Sequence, residues 1–176
     1  MQPPISTGIE DFSIRFADEG DTPLVMRFIR ELAAYEKLLD EVVADEQMLH
    51  AHLFGEQPRA EVLIGEEGGE PAGFALFFHT FSTFLGRPGL YLEDLYVRPE
   101  CRGRGYGRAL LGCLARLAVE RGCGRLEWAV LNWNEPAIGF YESLDARPMD
   151  DWTVYRLTGE PLQRLSDAFE KGEGSP

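Results

Sequence analysis

A glycine- and arginine-rich stretch near the middle of the chain carries the clearest chemical signal in the sequence. It reads Arg102-Gly103-Arg104-Gly105-Tyr106-Gly107 and lies between a strand-like and a helix-like segment. Glycines at such a turn let backbone N–H groups converge on a ligand, and the N-terminus of the following helix adds partial positive charge. These residue types indicate a binding site for an anion such as a pyrophosphate.

The distribution of charge along the chain supports this interpretation. The whole sequence has a net charge of −13. From Arg98 to Arg125, however, there are seven arginines against two acidic residues, a local charge of +5 that leaves −18 on the rest of the chain. The overall acidity argues against a general binder of nucleic acid or of anionic membranes, whereas the local excess favours a phosphate site.

Two nucleotide-binding motifs fit this loop poorly. A Walker A loop needs Gly-Lys-Ser or Gly-Lys-Thr, which is absent here. A dinucleotide fingerprint needs the spacing G-x-G-x-x-G, but Gly103, Gly105 and Gly107 are spaced G-x-G-x-G, and several elements precede them. A dinucleotide-binding protein is therefore kept only as an alternative.

A pair of adjacent carboxylates is the second chemical signal. Glu93 and Asp94 lie inside the apolar segment Leu90–Val97, which reads as a strand. Strand alternation would place Leu92 and Asp94 on one face and Glu93 with Leu95 on the other. Both carboxylates could avoid the sheet interior only if the strand bulges or splays, and a bulge would re-aim a side chain.

The elements that must position these residues alternate along the chain. Strand patterns span 12–16, 60–65, 73–78, 90–97, 125–131 and 152–157, with a hairpin turn at Gly68-Gly69. Helix patterns begin near Asp21 or Thr22 and at Asp45, and span 105–120, 134–144 and 161–170. This order predicts an α/β or α+β sheet with helices on its faces, in which the strands at 90–97 and 125–131 are parallel.

The chain length and composition fit a single globular domain. Of its 176 residues, 44% are hydrophobic and 27% are charged, which excludes a disordered or fibrous chain. We expect a loose segment at 1–11, a domain at 12–170 and a flexible tail at 171–176. Three cysteines without a CxxC pair, no secretory leader and no membrane-length apolar run predict a cytoplasmic protein, and His50 and His52 form no metal-site pattern.

Four blocks of the sequence, in order, resemble the GNAT superfamily of N-acetyltransferases. They are Glu31-Leu32-Ala33-Ala34-Tyr35-Glu36, Leu90-Tyr91-Leu92-Glu93-Asp94, the glycine loop, and Trp133-Asn134-Glu135-Pro136-Ala137-Ile138-Gly139-Phe140-Tyr141. Within the superfamily, the chain is similar to the spermidine/spermine branch, which includes the thialysine acetyltransferases. The resemblance implies a single-domain, mostly antiparallel twisted sheet with helices on both faces and a splayed central parallel strand pair.

The same resemblance implies acetyl-CoA as the cofactor and no metal. The pantetheine arm would pair with the backbone of Leu95, Tyr96 and Val97, and the pyrophosphate would lie against the loop. Residues assigned to cofactor binding in this way are Leu95, Tyr96, Val97, Arg102, Gly103, Arg104, Gly105, Tyr106, Gly107, Arg108, Asn134, Glu135, Pro136, Ala137 and Tyr141.

For the acceptor, the resemblance implies a small cationic amine. A primary amine has a pKa of ~10.4 and must lose a proton before it attacks the thioester. Glu93 is the candidate base, a backbone N–H near Leu95 could hold the developing oxyanion, and Tyr141 is the candidate acid for the thiolate. Acceptor contacts carry over to Tyr35, Glu36, Glu93, Asp94, Glu127 and Trp128. A homodimer is also implied.

Departures from the family pattern concern the acceptor. Asp145 stands where the family usually has glycine, and Glu142, Ser143 and Leu144 stand where the polyamine enzymes carry basic residues. The loop before Trp152 is shorter, so that only Asp150 or Asp151 could contribute from it. The alternatives to a polyamine-like or thialysine-like acceptor are an amino acid, an aminoglycoside or a protein amine, or a CoA-binding module without turnover.

Overall fold

The computed structural model describes residues 3–170, and the predicted tail at 171–176 lies outside them. The described chain contains six strands and five α-helices. The strands are β1 (Ile5–Ser6), β2 (Phe12–Phe16), β3 (Glu61–Glu67), β4 (Glu70–Ser82), β5 (Arg87–Val97) and β6 (Leu126–Trp128). The helices are α1 (Thr22–Glu36), α2 (Glu46–Phe54), α3 (Tyr106–Glu120), α4 (Glu135–Glu142) and α5 (Gly159–Glu170).

All six strands form one sheet, in the order in which they occur in the chain. Neighbours are antiparallel from β1 to β5, and β5 pairs with β6 in parallel. Gly68 and Gly69 join β3 to β4 with φ values of +59° and +86°, the conformation that a two-residue hairpin of type I′ needs. The mixed sheet, its hairpin and its parallel pair confirm the predicted fold class.

Helices cover both faces of this sheet. On one face, Val25 and Phe28 of α1 pack with Ile64, Phe74 and other buried residues in a single apolar cluster. On the other face, Leu110, Leu114 and Leu117 of α3 are buried. A Cβ placed on Gly65, which alternates with Ile64, would lie 3.7 Å from Cδ1 of Leu110, so α3 covers the opposite side.

Local signals in the sequence explain where the first two helices begin. Pro23 lies in the first turn of α1, where its missing N–H costs no hydrogen bond. The carboxylate of Asp45 accepts a 2.8 Å hydrogen bond from the Met48 N–H at the start of α2, as predicted for its cap.

Three segments differ from the sequence prediction. Ile5–Ser6 pairs with β2, although 1–11 was expected to be loose. The strand expected at 125–131 is only Leu126–Trp128. Residues 152–157 form no strand, and their side chains are exposed. Their alternating pattern has β propensity, but a strand also needs hydrogen bonds to a neighbouring strand, and propensity alone does not supply them.

The described chain divides into two compact units, with the boundary between Ala129 and Val130. The first contains the whole sheet and α1 to α3. The second contains α4 and α5. In the second unit the helix expected at 134–144 spans Glu135–Glu142, and the helix expected at 161–170 begins two residues earlier, at Gly159. The domain limits predicted from the sequence stay a prediction.

Candidate functional site

Strand β5 contains a bulge at Glu93. Phe77 of β4 lies opposite Leu92, and the next β4 residue back, Leu76, lies opposite Asp94. Glu93 is therefore an extra residue in β5, and it is exposed. Because one inserted residue interrupts the alternation, Leu92 and Asp94 lie on opposite faces of the sheet. The expectation from regular alternation, which put them on one face, was wrong, and the bulge was the alternative that the paired carboxylates required.

Beyond the bulge, β5 has an open backbone edge. The ladder to β6 ends at the pair Leu92–Trp128, whereas β5 continues to Val97. The N–H of Arg98 donates to the carbonyl of Ala72 on the β4 side, at 2.9 Å. Since backbone groups point alternately to the two sides of a strand, those of Val97 and Leu95 point away from β4. The splayed strand pair is thus confirmed, and the Leu95 N–H faces the open side.

The carboxyl group of Asp94 lies on the face that α1 covers, together with its ladder partner Leu76 and with Tyr96. Burial, and then the nearby carboxylates of Glu93 and Glu36, raise the pKa of Asp94 to about 7. Burial also raises the pKa of Glu36, the last residue of α1. The structure therefore brings three of the predicted acceptor residues into one electrostatic cluster, which we call the acidic cluster (Glu36, Glu93, Asp94).

The raised pKa of Asp94 predicts a pH-dependent gain in stability from Asp94→Asn. A carboxyl whose native pKa exceeds its unfolded value of 3.8 favours the folded state while it is neutral. That advantage is lost as the pH rises from about 4 through 7. Asparagine stays neutral, so the gain in the free energy of unfolding should be about 2–4 kcal/mol larger at pH 8 than at pH 4.

Chemical denaturation of the wild type and of Asp94→Asn at pH 4, 6 and 8 measures this gain. A gain that does not change with pH would mean that the carboxyl ionises as easily in the folded protein as in the unfolded chain.

The glycine loop adopts the conformation expected of an anion site. Gly103 and Gly105 have φ values of +76° and +87°, which are strained for other residues. Gly105 is the N-cap of α3, and its carbonyl accepts the 2.9 Å hydrogen bond from the Ala109 N–H. N–H groups in a first helical turn have no acceptor within the helix, so they point out of its N-terminus. A Cβ on Gly107 would lie 3.9 Å from Cγ2 of Val97, which places the loop beside the end of β5.

Gly105→Ala should lower the free energy of unfolding by about 1–2 kcal/mol, because a side chain at positive φ is strained. Its Cβ would also lie 3.4 Å from Cδ1 of Ile9. Gly112→Ala is the matched control: this residue is exposed in the interior of α3, with open space around its Cα. There alanine should raise stability by about 0.5–1 kcal/mol. Thermal or chemical unfolding of both variants tests the difference in sign.

Most of the local arginines are neutralised by carboxylates. Five of the seven arginines between 98 and 125 form ion pairs within the described chain: Arg98–Glu31, Arg104–Glu67, Arg116–Glu120, Arg121–Glu61 and Arg125–Glu127. Four of the partners (Glu31, Glu61, Glu67 and Glu127) come from outside this segment, so the local charge of +5 overstates the positive potential that a ligand meets. The groups that the loop itself offers to an anion are its backbone N–H groups and the guanidinium of Arg102.

Arg102, the first residue of the loop motif, is held by three contacts. Its guanidinium carbon lies 4.7 Å from the centre of the Tyr35 ring and 5.7 Å from that of Tyr96. Its Nε donates a 2.9 Å hydrogen bond to the carbonyl of Val97. The arginine thus connects the end of α1 to the open edge of β5.

The two acceptor residues predicted on β6 lie at the end of the parallel ladder. Glu127 is opposite Tyr91 and Trp128 is opposite Leu92. The carboxylate of Glu127 accepts from Nε of Arg125 at 2.7 Å, with both side chains partly exposed. Glu127 is therefore already paired, and its contact with an acceptor stays a prediction.

Within the second unit, α4 carries the remaining predicted residues. Asn134 is at the N-cap position as predicted, but its side chain does not cap the helix. Its carbonyl accepts from the N–H groups of Ala137 and Ile138, both at 3.0 Å. Tyr141 is half-buried, with its ring centre 5.3 Å from that of Phe140. Asp145 has a φ of +62°, so it adopts the left-handed conformation that the family's glycine takes without strain.

Sequence reasoning missed one ion pair beside the site. Nε and Nη2 of Arg98 donate to the two carboxylate oxygens of Glu31, each at 3.1 Å, and Nη1 donates to the carbonyl of Pro71. The guanidinium also lies 5.0 Å from the centre of the Phe28 ring. This fork holds α1 to the end of β5. No local pattern could have paired residues 67 positions apart.

Across residues 3–170 no three His, Cys, Asp or Glu side chains are grouped so that they could hold a metal ion. None of the helices in this range has the length and hydrophobicity needed to cross a membrane.

Comparisons with known proteins agree with this geometry. The model of the acetyltransferase (GNAT) family matches residues 28–145. Thialysine N-epsilon-acetyltransferase of Sus scrofa is 41% identical over 164 residues, which cover 87% of this chain and 96% of that protein. L-ornithine N5-acetyltransferase of Arabidopsis thaliana is 31% identical and covers 90% of each chain.

Solved structures show the same fold. An integron cassette protein from the mobile metagenome of V. cholerae superimposes with a TM-score of 0.74, at 30% identity, over 89% of this chain and 98% of that one. An aminoglycoside acetyltransferase from a soil metagenome superimposes with a TM-score of 0.71 over 84% of this chain and 97% of that one. It is 20% identical and so supports the fold alone.

Proposed function

Because the chain belongs to the acetyltransferase (GNAT) family, we propose that it transfers an acetyl group from acetyl-CoA to a primary amine of a small cationic acceptor. The observation that carries this proposal is the bulge at Glu93, which puts a carboxyl cluster beside an open strand edge. Carboxylates attract a charged amine, and the open edge offers backbone partners to an extended arm. The relatives named for thialysine and ornithine acetylation support a polyamine-like or thialysine-like acceptor.

The residues of the first unit fit acetyl-CoA, whose thioester supplies the activated acyl group. Leu95 and Val97 present backbone groups to the open edge. The loop and the start of α3 direct N–H groups toward a phosphate, and Arg102 adds a guanidinium. In this proposal, Asn134 to Ala137 and Tyr141 also bind the cofactor.

Proton transfers are assigned to two residues. Glu93, directly or through a water, removes a proton from the bound ammonium, so that the neutral nitrogen attacks the acyl carbon directly. The Leu95 N–H holds the carbonyl oxygen as negative charge develops on it. When the carbon–sulfur bond breaks, the hydroxyl of Tyr141 protonates the departing thiolate, and the second proton that the nitrogen loses as the amide forms restores the tyrosine hydroxyl. Asp94 and Glu36 bind the cationic acceptor.

An acceptor screen tests the proposal. Purified protein and acetyl-CoA are combined with thialysine, ornithine, lysine, spermidine or an aminoglycoside, and the released CoA thiol is measured. We expect release with one or more of the small diamine-like acceptors. CoA binding without release on any acceptor would favour a binding module, and thermal stabilisation by NAD but not by CoA would favour the dinucleotide alternative.

The assembly and the location of the protein are separate proposals. The resemblance implies a homodimer, and a cytoplasmic location stays a proposal. Size-exclusion chromatography with light scattering measures the first, and a mass of about 20 kDa at every concentration would contradict it, since one chain weighs 19.8 kDa.

A further inference from the structure

The guanidinium of Arg102 lies over two tyrosine rings from different elements. Tyr35 is in the last turn of α1 and Tyr96 is near the end of β5, with ring centres 4.7 Å and 5.7 Å from the guanidinium carbon. The third contact, from Nε to the Val97 carbonyl at 2.9 Å, fixes the plane of the guanidinium. Tyr96 is buried, whereas 36% of Tyr35 is exposed. Of the two rings over Arg102, that of Tyr35 is therefore the one that solvent reaches.

We propose that Tyr35 is a positioning residue for the cofactor, in addition to its predicted place at the acceptor site. Its ring holds Arg102 in the orientation that meets the phosphates, so that Tyr35 raises the affinity for CoA without touching it. This inference rests on the proposed function, because it takes CoA as the ligand of the loop.

The flexibility of an arginine side chain explains why holding Arg102 in place would raise the affinity for a phosphate. A free arginine side chain samples many rotamers, and it loses that freedom when it binds a phosphate. A guanidinium that is already stacked and hydrogen-bonded has lost most of this rotamer freedom before the ligand arrives. Binding then costs less conformational entropy, which raises the affinity. Among the described residues, the two terminal nitrogens of Arg102 have no hydrogen-bond acceptor, and these are the atoms that form the fork to a phosphate.

The position of Tyr35 connects the two substrates. The next residue, Glu36, belongs to the acidic cluster, and both residues lie at the end of α1. A cofactor that binds the Arg102 guanidinium therefore also stabilises its contact with the Tyr35 ring, at the helix end that carries Glu36. Coupling of this kind is reciprocal, so CoA should tighten the binding of the acceptor by the same factor by which the acceptor tightens CoA.

The test measures the dissociation constant of CoA, without acceptor, by titration calorimetry. Tyr35→Leu removes the ring and should weaken CoA binding by about 3- to 30-fold, the range expected for loss of a cation–π contact. Tyr35→Phe keeps the ring and removes only the hydroxyl, so CoA should bind within about twofold of the wild type. Phe84→Leu, at a side chain that is 93% exposed in the β4–β5 turn, controls for loss of an exposed ring.

A double-mutant cycle separates an indirect role from direct contact. In the background Arg102→Met, which keeps an unbranched side chain and removes the guanidinium, Tyr35→Leu should have no further effect on CoA binding. An equal loss in both backgrounds, or wild-type affinity for Tyr35→Leu alone, would overturn the proposal. If the wild type itself does not bind CoA, the proposed function fails instead. Unfolding curves of each variant without ligand establish that the proteins are folded.

Discussion

Tyr141→Phe should lower kcat by about 10²–10⁴-fold, the range in which a general acid contributes. The substitution removes one hydroxyl from a half-buried ring that packs on Phe140 in α4, and the ring itself is retained. Acetyl-CoA should therefore bind with unchanged affinity, and the loss should fall on the chemical step. Steady-state kinetics give kcat, and calorimetry gives the dissociation constant of acetyl-CoA. Together they separate an effect on the chemical step from an effect on cofactor binding.

The matched control for Tyr141 is Tyr155→Phe. Tyr155 lies in the same unit of the chain and is 91% exposed, so loss of its hydroxyl should leave kcat unchanged. An unchanged kcat for Tyr141→Phe would remove the acid assignment, and a parallel loss of acetyl-CoA binding would make Tyr141 a binding residue instead.

Glu93→Gln should lower kcat/KM by about 10²–10⁴-fold near neutral pH, with a deficit that shrinks as the pH rises. Without the base, only acceptor molecules that are already neutral can react. That fraction grows about tenfold per pH unit below the amine pKa of ~10.4. Rates of the wild type and of Glu93→Gln between pH 7 and 10 measure the convergence.

Two further variants are compared with Glu93→Gln. Glu70→Gln changes an exposed glutamate at the start of β4 and should have wild-type activity. Asp94→Asn distinguishes the adjacent carboxyls: if it, and not Glu93→Gln, shows the pH-dependent deficit, the base is Asp94. A deficit of Glu93→Gln that stays constant over this pH range would assign Glu93 to binding.

The sequence contained enough local signals to predict most of the sheet. The glycines at 68 and 69, the cap at Asp45 and the apolar stripe of α3 each have a local physical cause, and each was found in the structure. The paired carboxylates in an apolar strand even required the bulge or splay that β5 shows. These features depend on neighbours in the chain, which a sequence displays directly.

What the sequence could not predict depends on partners that are distant in the chain. The pKa of Asp94 is raised by its burial beneath α1 and by Glu36, 58 positions away in the sequence. The ion pairs of Arg104 with Glu67 and of Arg121 with Glu61 reduce the positive charge that a sum over residues 98–125 suggested. The pattern at 152–157 failed for the same reason, since β propensity does not supply a partner strand.

The residues of the candidate site show the same difference between local signals and partners that are distant in the chain. The glycine loop could be identified from residue types alone, because its backbone conformation has a sequence signature. The link from Tyr35 to Arg102 has no such signature, because it joins two blocks whose roles were assigned separately, one to the acceptor and one to the cofactor.

The bulge at Glu93 makes the length of β5 as important as its composition. If β5 paired with β4 without the bulge, Glu93 would lie opposite Leu76, and every following residue would move by one pair along β4. Such a slip turns each side chain to the other face and each N–H to the other edge. The single inserted residue is therefore what allows one short strand to direct the Asp94 carboxyl toward the α1 face and the Leu95 N–H toward the open edge.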